Sequence, residues 1–379
     1  MENEKDNSKL TICPNCGSDK LIKKGRRINK NKEVHLFLCK ECNKRFSSEK
    51  FKNKTYDIST IVKTLSLYNS GLTIDVVAEK KEIPRSTISN WQSEYRELFN
   101  LIRYAKEIQV FRKENRVIEK YKYIHHLVYL YQQHSFKIEK FIKDKEIGLY
   151  DYLQKIKNGD INSRVFIESD VRASKMKLNI AHALKITKAN NNACKFAMIA
   201  LELVNGNRER HDAVEKIMLE NDTSTIATEV PVFLQLTKST IPWLRNIKSA
   251  NNYITGHIDI LQYRNGKLYI LDYKPGADKE KPLGQLFVYA CCLSKATGIP
   301  FTNIKLAWFD ENVYYETGAM DVYKEVMKSL KKDSNLETQK DTNSGQIKAP
   351  DLGFKKGSNL GFRKDTDLGR AKRPEFGRN

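Results

Sequence analysis

No apolar run in the 379 residues approaches the ~18 needed for a membrane-crossing helix, and no secretory-leader pattern opens the chain. A cytoplasmic, intracellular protein without a membrane partner is the expectation. Acidic residues are also in short supply: 46 Asp and Glu against 67 Lys and Arg leave a net charge of +21. Each Lys or Arg set near a phosphate releases counterions, so this excess predicts a polyanionic partner and a nucleoid-associated location. Cysteines number seven, an odd count that argues against a disulfide framework in a chain without a leader. The length suits two or three domains.

Four of the cysteines form Cys13-Pro-Asn-Cys16 and Cys39-Lys-Glu-Cys42, with 22 residues between the pairs. Two such knuckles around strand-like sequence predict one structural, tetrahedral Zn²⁺ held by Cys13, Cys16, Cys39 and Cys42. Four thiolates leave no open coordination position, and the ion replaces a core that about 40 residues could hardly build. The intervening KKGRRINKNKE reads as a basic loop between two strands. Residues 1–9 are expected to be disordered. Residues 10–50 resemble the zinc ribbons at the N-termini of many transposases and DNA-binding proteins, down to Phe46 after the second knuckle.

Residues 55–100 read as an all-α helix-turn-helix. A helix near Ile58 to Tyr68 ends at Asn69-Ser70-Gly71, a second covers Thr73 to Lys81, and Pro84 precedes a third from Ser86 to Tyr95. With Ile88 and Trp91 inward, Arg85, Thr87, Ser89, Asn90 and Gln92 are the candidate DNA contacts. Glu82 stands where this turn usually has glycine. Residues 101–189 keep a helical pattern, with a second helical segment around 164–187, and read as a helical connector. The connector is expected as a spacer, with a homo-oligomer contact or a DNA-tracking face as alternatives. His125 and His126 are adjacent and project apart, which argues against a metal pair there.

The chemistry gathers in residues 190–330, an α/β arrangement of helices flanking a mixed sheet. Its centre is GHIDILQYRNGKLYILDYK, Gly256 to Lys274. Asn265-Gly266 predicts a two-residue hairpin turn. That turn sets Arg264 opposite Lys267, Ile260 opposite Leu271 and Asp259 opposite Asp272. His257, Asp259, Asp272 and Lys274 then share one face; Ile258, Ile260, Leu271 and Tyr273 line the other. Two carboxylates across a ladder sit about 5 Å apart at Cβ and repel. A divalent cation between them relieves that repulsion, and Mg²⁺ keeps waters and room for phosphate oxygens. Lys274 would orient the attacking water or stabilise charge on phosphorus.

Gly256-His-Ile-Asp259, Asp272-Tyr-Lys274 and Gln285-Leu-Phe-Val-Tyr289 resemble the GxxD, (D/E)xK and QxxxY series of RecB-like nucleases in the PD-(D/E)xK superfamily. His211 with Glu215, and Glu229 before Val-Pro-Val, fall in that family's order. The resemblance implies a restriction-endonuclease-like domain. In it Asp259 and Asp272 are Mg²⁺ or Mn²⁺ ligands, the Tyr273 carbonyl lies beside them, and His211 is an additional ligand. Lys274 takes the catalytic lysine role, and Gln285 and Tyr289 position DNA or the site. Glu229 is either part of that order or a strand-edge charge. Some relatives hold a four-cysteine cluster; Cys194, Cys291 and Cys292 cannot supply it, and Cys291 and Cys292 read as small apolar residues.

Beyond about residue 335 the chain is polar, basic and repetitive (DLGFKKGS, NLGFRKDT, DLGRAKRP), a disordered tail able to touch nucleic acid or a protein partner. The expectation is a Mg²⁺-dependent DNase delivered to DNA by its N-terminal modules. The alternatives are a DNA-binding regulator with an inactive nuclease-like domain and a transposase-like mobile-element protein.

Overall fold

Strands β1 (Leu21–Asn29), β2 (Lys32–Cys39) and β3 (Arg45–Ser47) form a small antiparallel sheet near the N-terminus. The computed structural model describes residue 13 and residues 18–29, 32–47, 56–178, 184–189, 191–204 and 207–341. Residues 23–29 and 32–33 of the basic stretch expected as a loop lie in β1 and β2, paired from Leu21↔Cys39 to Asn29↔Lys32. Its described side chains Lys23, Lys24 and Arg26 are exposed, so β1 is held by its ladder to β2, whose Phe37 and Cys39 pack with Cys13 and Phe46.

Three helices follow: α1 (Ile58–Asn69), α2 (Ile74–Lys81) and α3 (Arg85–Glu94). Asp57 caps α1 by accepting from the Thr60 N–H at 2.6 Å, and Thr73 caps α2. Glu82 closes α2 in the left-handed region at φ 54°, which is why this position usually carries glycine. After α4 (Ala105–Phe111) the expected helical connector does not continue. Residues 118–134 form a hairpin of β4 (Ile118–His125) and β5 (Leu127–His134), turning at His126 with φ 63°. The reason is period-two burial: Tyr121, Tyr123 and His125 turn inward while Lys120, Lys122 and Ile124 face out. Helices α5 (Ser135–Phe141), α6 (Ile147–Asn158) and α7 (Ser163–Glu168) come next. The second helical segment expected around 164–187 stops with α7, and the chain turns into strand β6 (Val171–Arg172).

The remaining elements are β7 (Thr187–Ala189), α8 (Asn192–Leu203), α9 (Asn207–Asn221), β8 (Thr225–Gln235), α10 (Pro242–Arg245), β9 (Tyr253–Arg264), β10 (Lys267–Tyr273), α11 (Leu283–Thr297), β11 (Ile304–Phe309), β12 (Tyr314–Gly318) and α12 (Ala319–Asp341). Nine strands make one mixed sheet in the order β4-β5-β8-β9-β10-β11-β12-β7, with β6 added to β9. β10–β11 and β6–β9 are parallel, and the other pairs antiparallel. Helices flank the sheet. Leu261, Ile270 and Trp308 pack with Leu286, Phe287 and Leu153 in one apolar cluster. Ile260, Leu271, Tyr273 and Phe309 pack with Phe196, Val214 and Ile217 in the other.

That second cluster runs on into α1 and α3 through Ile61, Leu65, Ile88 and Trp91. Asn69 Nδ2 donates to Asn221 Oδ1 at 2.9 Å, and Asn221 Nδ2 donates to Ser66 Oγ at 2.9 Å. The three N-terminal helices are therefore packed on α8 and α9 rather than strung from them. Helix α12 carries the chain to Asp341, so residues 335–341 of the expected tail are helical. The repeats and residues 1–9 lie outside the described residues. No helix among the described residues is long and apolar enough to cross a membrane.

Phe196 is buried in this shared cluster with its ring 5.7 Å from that of Phe99. Phe196→Ala is expected to cost about 3–5 kcal/mol in urea unfolding. Amide exchange in α1–α3 should quicken together with that in α8. Faster exchange confined to α8 would show that the helices do not share one core.

Candidate active site

The turn residues Asn265 and Gly266 both have positive φ, 51° and 72°, as a two-residue hairpin requires. Pairing runs from Lys267↔Arg264 to Leu271↔Ile260, the register expected from the sequence. Ile258, Ile260, Leu271 and Tyr273 are all buried. One step further along the arms stand Asp259 and Asp272. Each carboxyl acts on the other's ionisation, and no donor is well aligned on either Asp272 oxygen. Asp272 is 1% exposed, and Lys274 Nζ lies 3.2 Å from its Oδ2.

Neighbouring elements bring more acid to the pair. Helix α9 presents His211 and Glu215 one turn apart. His211 Nδ1 lies 3.9 Å from Asp259 Oδ2, and its ring meets the Tyr273 ring edge-on at 5.0 Å. Glu215 is buried. On β8, Thr228 pairs with Ile260 and Val230 with Ile258, which sets Glu229 beside Asp259. Glu229 has φ 51°, rare for a residue with a side chain. β5 pairs with β8 only as far as Thr228, so Glu229 stands just past the end of that ladder, on the β9 side next to Asp259. The Tyr273 ring is buried in the apolar core.

Helix α11 adds Gln285 and Tyr289, with Gln285 Nε2 donating to Tyr289 Oη at 3.1 Å and both side chains buried. The glycine of GHID has a spatial reason. A Cβ on Gly256 would lie 2.4 Å from Tyr289 Cε1, so only glycine lets that ring lie against β9. His257, expected on the face of the acids, is covered by the β4–β5 hairpin. Its ring stacks on Tyr129 at 3.5 Å, and its Nε2 lies 2.9 Å from His125 Nδ1. Burial and the neighbouring His125 and Arg172 push the His257 pKa down to about 2, so it is a neutral packing group.

Electrostatically the site is overloaded with acid. Burial, then Glu229, raises Asp259 to about 6. Burial, then Asp212, raises Glu229 to about 7. Burial raises Asp272 and Glu215 well above the carboxylate range, with Asp259 the next cause for the first and Glu229 for the second. Burial opposes the charge on Lys274, but Asp272 and Asp259 outweigh it and hold the amine protonated. The sequence pattern pairs Glu215 with His211 but gives it no role, and Asp212 is not singled out at all. The one available signal was the four-residue spacing from His211 to Glu215 on one helix face.

At the N-terminus, Cys13, Cys39 and Cys42 bring three thiol sulfurs within 4.8 Å of one another, a group that could hold a metal ion. Among the described residues no other three ligand atoms converge so closely; the carboxylates are spaced more openly. Cys13 Sγ and Cys42 Sγ are 3.7 Å apart. That is too long for a disulfide and matches the ~3.8 Å edge of a tetrahedron with bonds of about 2.3 Å. Cys16 lies outside the described residues. Cys291 and Cys292 are buried in α11 and pack as apolar side chains.

On α3, Ser89 and Asn90 are exposed and Thr87 half-buried. Arg85 pairs with Asp75 at 2.8 Å on the exposed surface. Gln92 differs from the expectation: the residue is half-buried and its Nε2 is shielded from solvent, so it is less open to a base edge than Ser89 or Asn90. Lying four residues from buried Ile88, it falls on the inner flank of the helix.

No family model matches the chain, and no curated protein or solved structure gives a significant match.

The raised carboxyls set a sign for pH dependence. Their folded pKa values lie above the unfolded ~4, so their contribution to stability is full at low pH and lost as pH rises through 6 and 7. In EDTA, the melting temperature is expected to fall between pH 5 and pH 8. Mg²⁺ should restore it at pH 8 and change it little at pH 5, and Asp272→Asn should flatten both trends. A melt indifferent to Mg²⁺ at pH 8 would show that no divalent ion relieves the acids.

Proposed function

We propose that this chain is a divalent-metal-dependent deoxyribonuclease, a RecB-like member of the PD-(D/E)xK superfamily with a restriction-endonuclease-like domain. The observation that carries the reading is the Asp259–Asp272 pair across one hairpin with Lys274 Nζ 3.2 Å from Asp272. A mixed sheet flanked by helices supports the fold. The net charge of +21 supports nucleic acid as the substrate.

The residues present fit an Mg²⁺ or Mn²⁺ ion. Both oxygens of buried Asp272 lack an aligned donor, and the donors are oxygens with one imidazole. Asp259 and Asp272 would hold it, with His211 and the Tyr273 main chain beside them. The ion would neutralise the acids and polarise a phosphate oxygen. Lys274, protonated beside Asp272, donates a hydrogen bond to a phosphate oxygen or to the attacking water and offsets the negative charge that builds on the phosphoryl oxygens. Gln285 holds the Tyr289 hydroxyl and so fixes the wall against β9. Arg85, Thr87, Ser89 and Asn90 on α3 contact the DNA, while a structural Zn²⁺ on Cys13, Cys16, Cys39 and Cys42 folds the N-terminal sheet.

Purified protein incubated with linear and circular DNA should cleave with Mg²⁺ and not with EDTA. Lys274→Ala and Asp272→Asn should each lower the rate by about 10²–10³-fold, the usual scale for losing one electrostatic stabiliser, with DNA binding retained. Binding by the wild type without metal-dependent cleavage would instead favour the regulator or mobile-element readings.

For the N-terminal site, elemental analysis should find one zinc per chain. Cys39→Ser should lose it and unfold the small sheet while the melting of the main body stays unchanged. Full-length protein folded at the sheet without bound zinc would overturn the assignment.

A further inference from the structure

The β4–β5 hairpin presents a face that the proposed chemistry leaves unused. Its outward row carries Lys120, Lys122 and Ile124, paired across the ladder with Gln132, Leu130 and Val128. Leu127 stands just past the turn at His126. Ile124, Leu127 and Val128 are 64%, 61% and 60% exposed, three large apolar side chains at one narrow tip. Such a cluster on a surface marks a contact site.

The hairpin is anchored close to the acids. Pairing of β5 with β8 ends at Gln132↔Thr228, one residue before the kinked Glu229. Beyond that point the hairpin no longer pairs with β8, and its Tyr129 and His125 pack against His257. His257 precedes Asp259 by two residues on β9, a rise of roughly 7 Å. Arg172 hydrogen-bonds to the Tyr129 hydroxyl and acts on Glu229, tying the hairpin to the carboxylates from the other side. The backing is stiff: the His125 ring stacks on Phe166 at 4.0 Å, and the Tyr123 hydroxyl donates to the Ile156 carbonyl.

We propose that this tip is a wedge that unstacks duplex DNA at the base pairs next to the Asp259–Asp272 site. The proposal rests on the nuclease reading for where the DNA lies. Charge selects DNA over a second copy of the chain. The outward row holds two lysines and no acid. Lys122 has no ion-pair partner among the described residues, and the acid that feels Lys120 is Glu220 on α9. Two copies joined through this face would bury ammonium groups against one another. A duplex offers phosphates to the lysines and base faces to Ile124, Leu127 and Val128.

The test is Ile124→Ser/Val128→Ser, two exposed substitutions, measured on duplex DNA carrying 2-aminopurine and on the same DNA already unpaired by mismatches. Wild-type protein in EDTA should raise 2-aminopurine fluorescence on the paired duplex, and the double variant should not. With Mg²⁺, the variant should cut the paired duplex about tenfold more slowly, on the scale of one lost stacking contact, and cut the unpaired DNA at the wild-type rate. Equal fluorescence from wild type and variant, or equal slowing on both substrates, would overturn the wedge. So would a variant that is monomeric where the wild type is dimeric, since the face would then be a contact between copies. Unstacking without cleavage on any substrate would sink the nuclease reading and leave the wedge standing.

Discussion

Asp259, Asp272, Glu215 and Glu229 are held out of water within one small region, opposed mainly by Lys274 and Arg172. Two like charges 4 Å apart repel by about 4 kcal/mol at an effective dielectric of 20. A domain has only about 5–15 kcal/mol of net stability to set against that. The acids must therefore keep protons or share a cation, and either condition makes the site responsive to its surroundings. The left-handed Glu229 adds strain of about 1–3 kcal/mol at the same spot. A sequence selected for stability alone would have little use for this arrangement.

What surrounds the acids follows from keeping them in place. The Asn265-Gly266 turn fixes the β9–β10 register, and a slip of one residue would send Asp259 and Asp272 to opposite faces. The buried face of Ile260, Leu271 and Tyr273 resists such a slip, because it would expose all three. Gly256 leaves the space that the Tyr289 ring fills, and Gln285 anchors that ring's hydroxyl. These features were legible in the sequence because each is local. A turn dipeptide, strand alternation and a helix face all lie within a few residues of the groups they position.

The misread parts depend on neighbours distant along the chain. Residues 118–134 looked helical because lysines and tyrosines alternate with apolar residues at spacings that suit either period. Pairing of β5 with β8, nearly a hundred residues away, settles them as strands. Glu229 was ambiguous for the same reason: whether β8 is an edge depends on where β5 goes. Gln92 was placed on an open face, yet its amide nitrogen is buried. In each case burial was decided by an element that the local pattern does not name.

On the proposed reading, helix α9 links the DNA-contacting helices to the acids. Val214, Ile217 and Asn221 pack toward α1, whereas His211 and Glu215 turn toward the acids. Residues three, four and seven apart on one helix cannot move independently, so α1 and the carboxylates share a rigid support. Any DNA held by α3 would then lie in a fixed frame relative to Asp259 and Asp272. A freely tethered binding module would sample many approaches to the site and raise only local concentration. A packed one restricts the approach, so the geometry of α3, α9 and the β9–β10 hairpin would itself select which phosphate meets the acids.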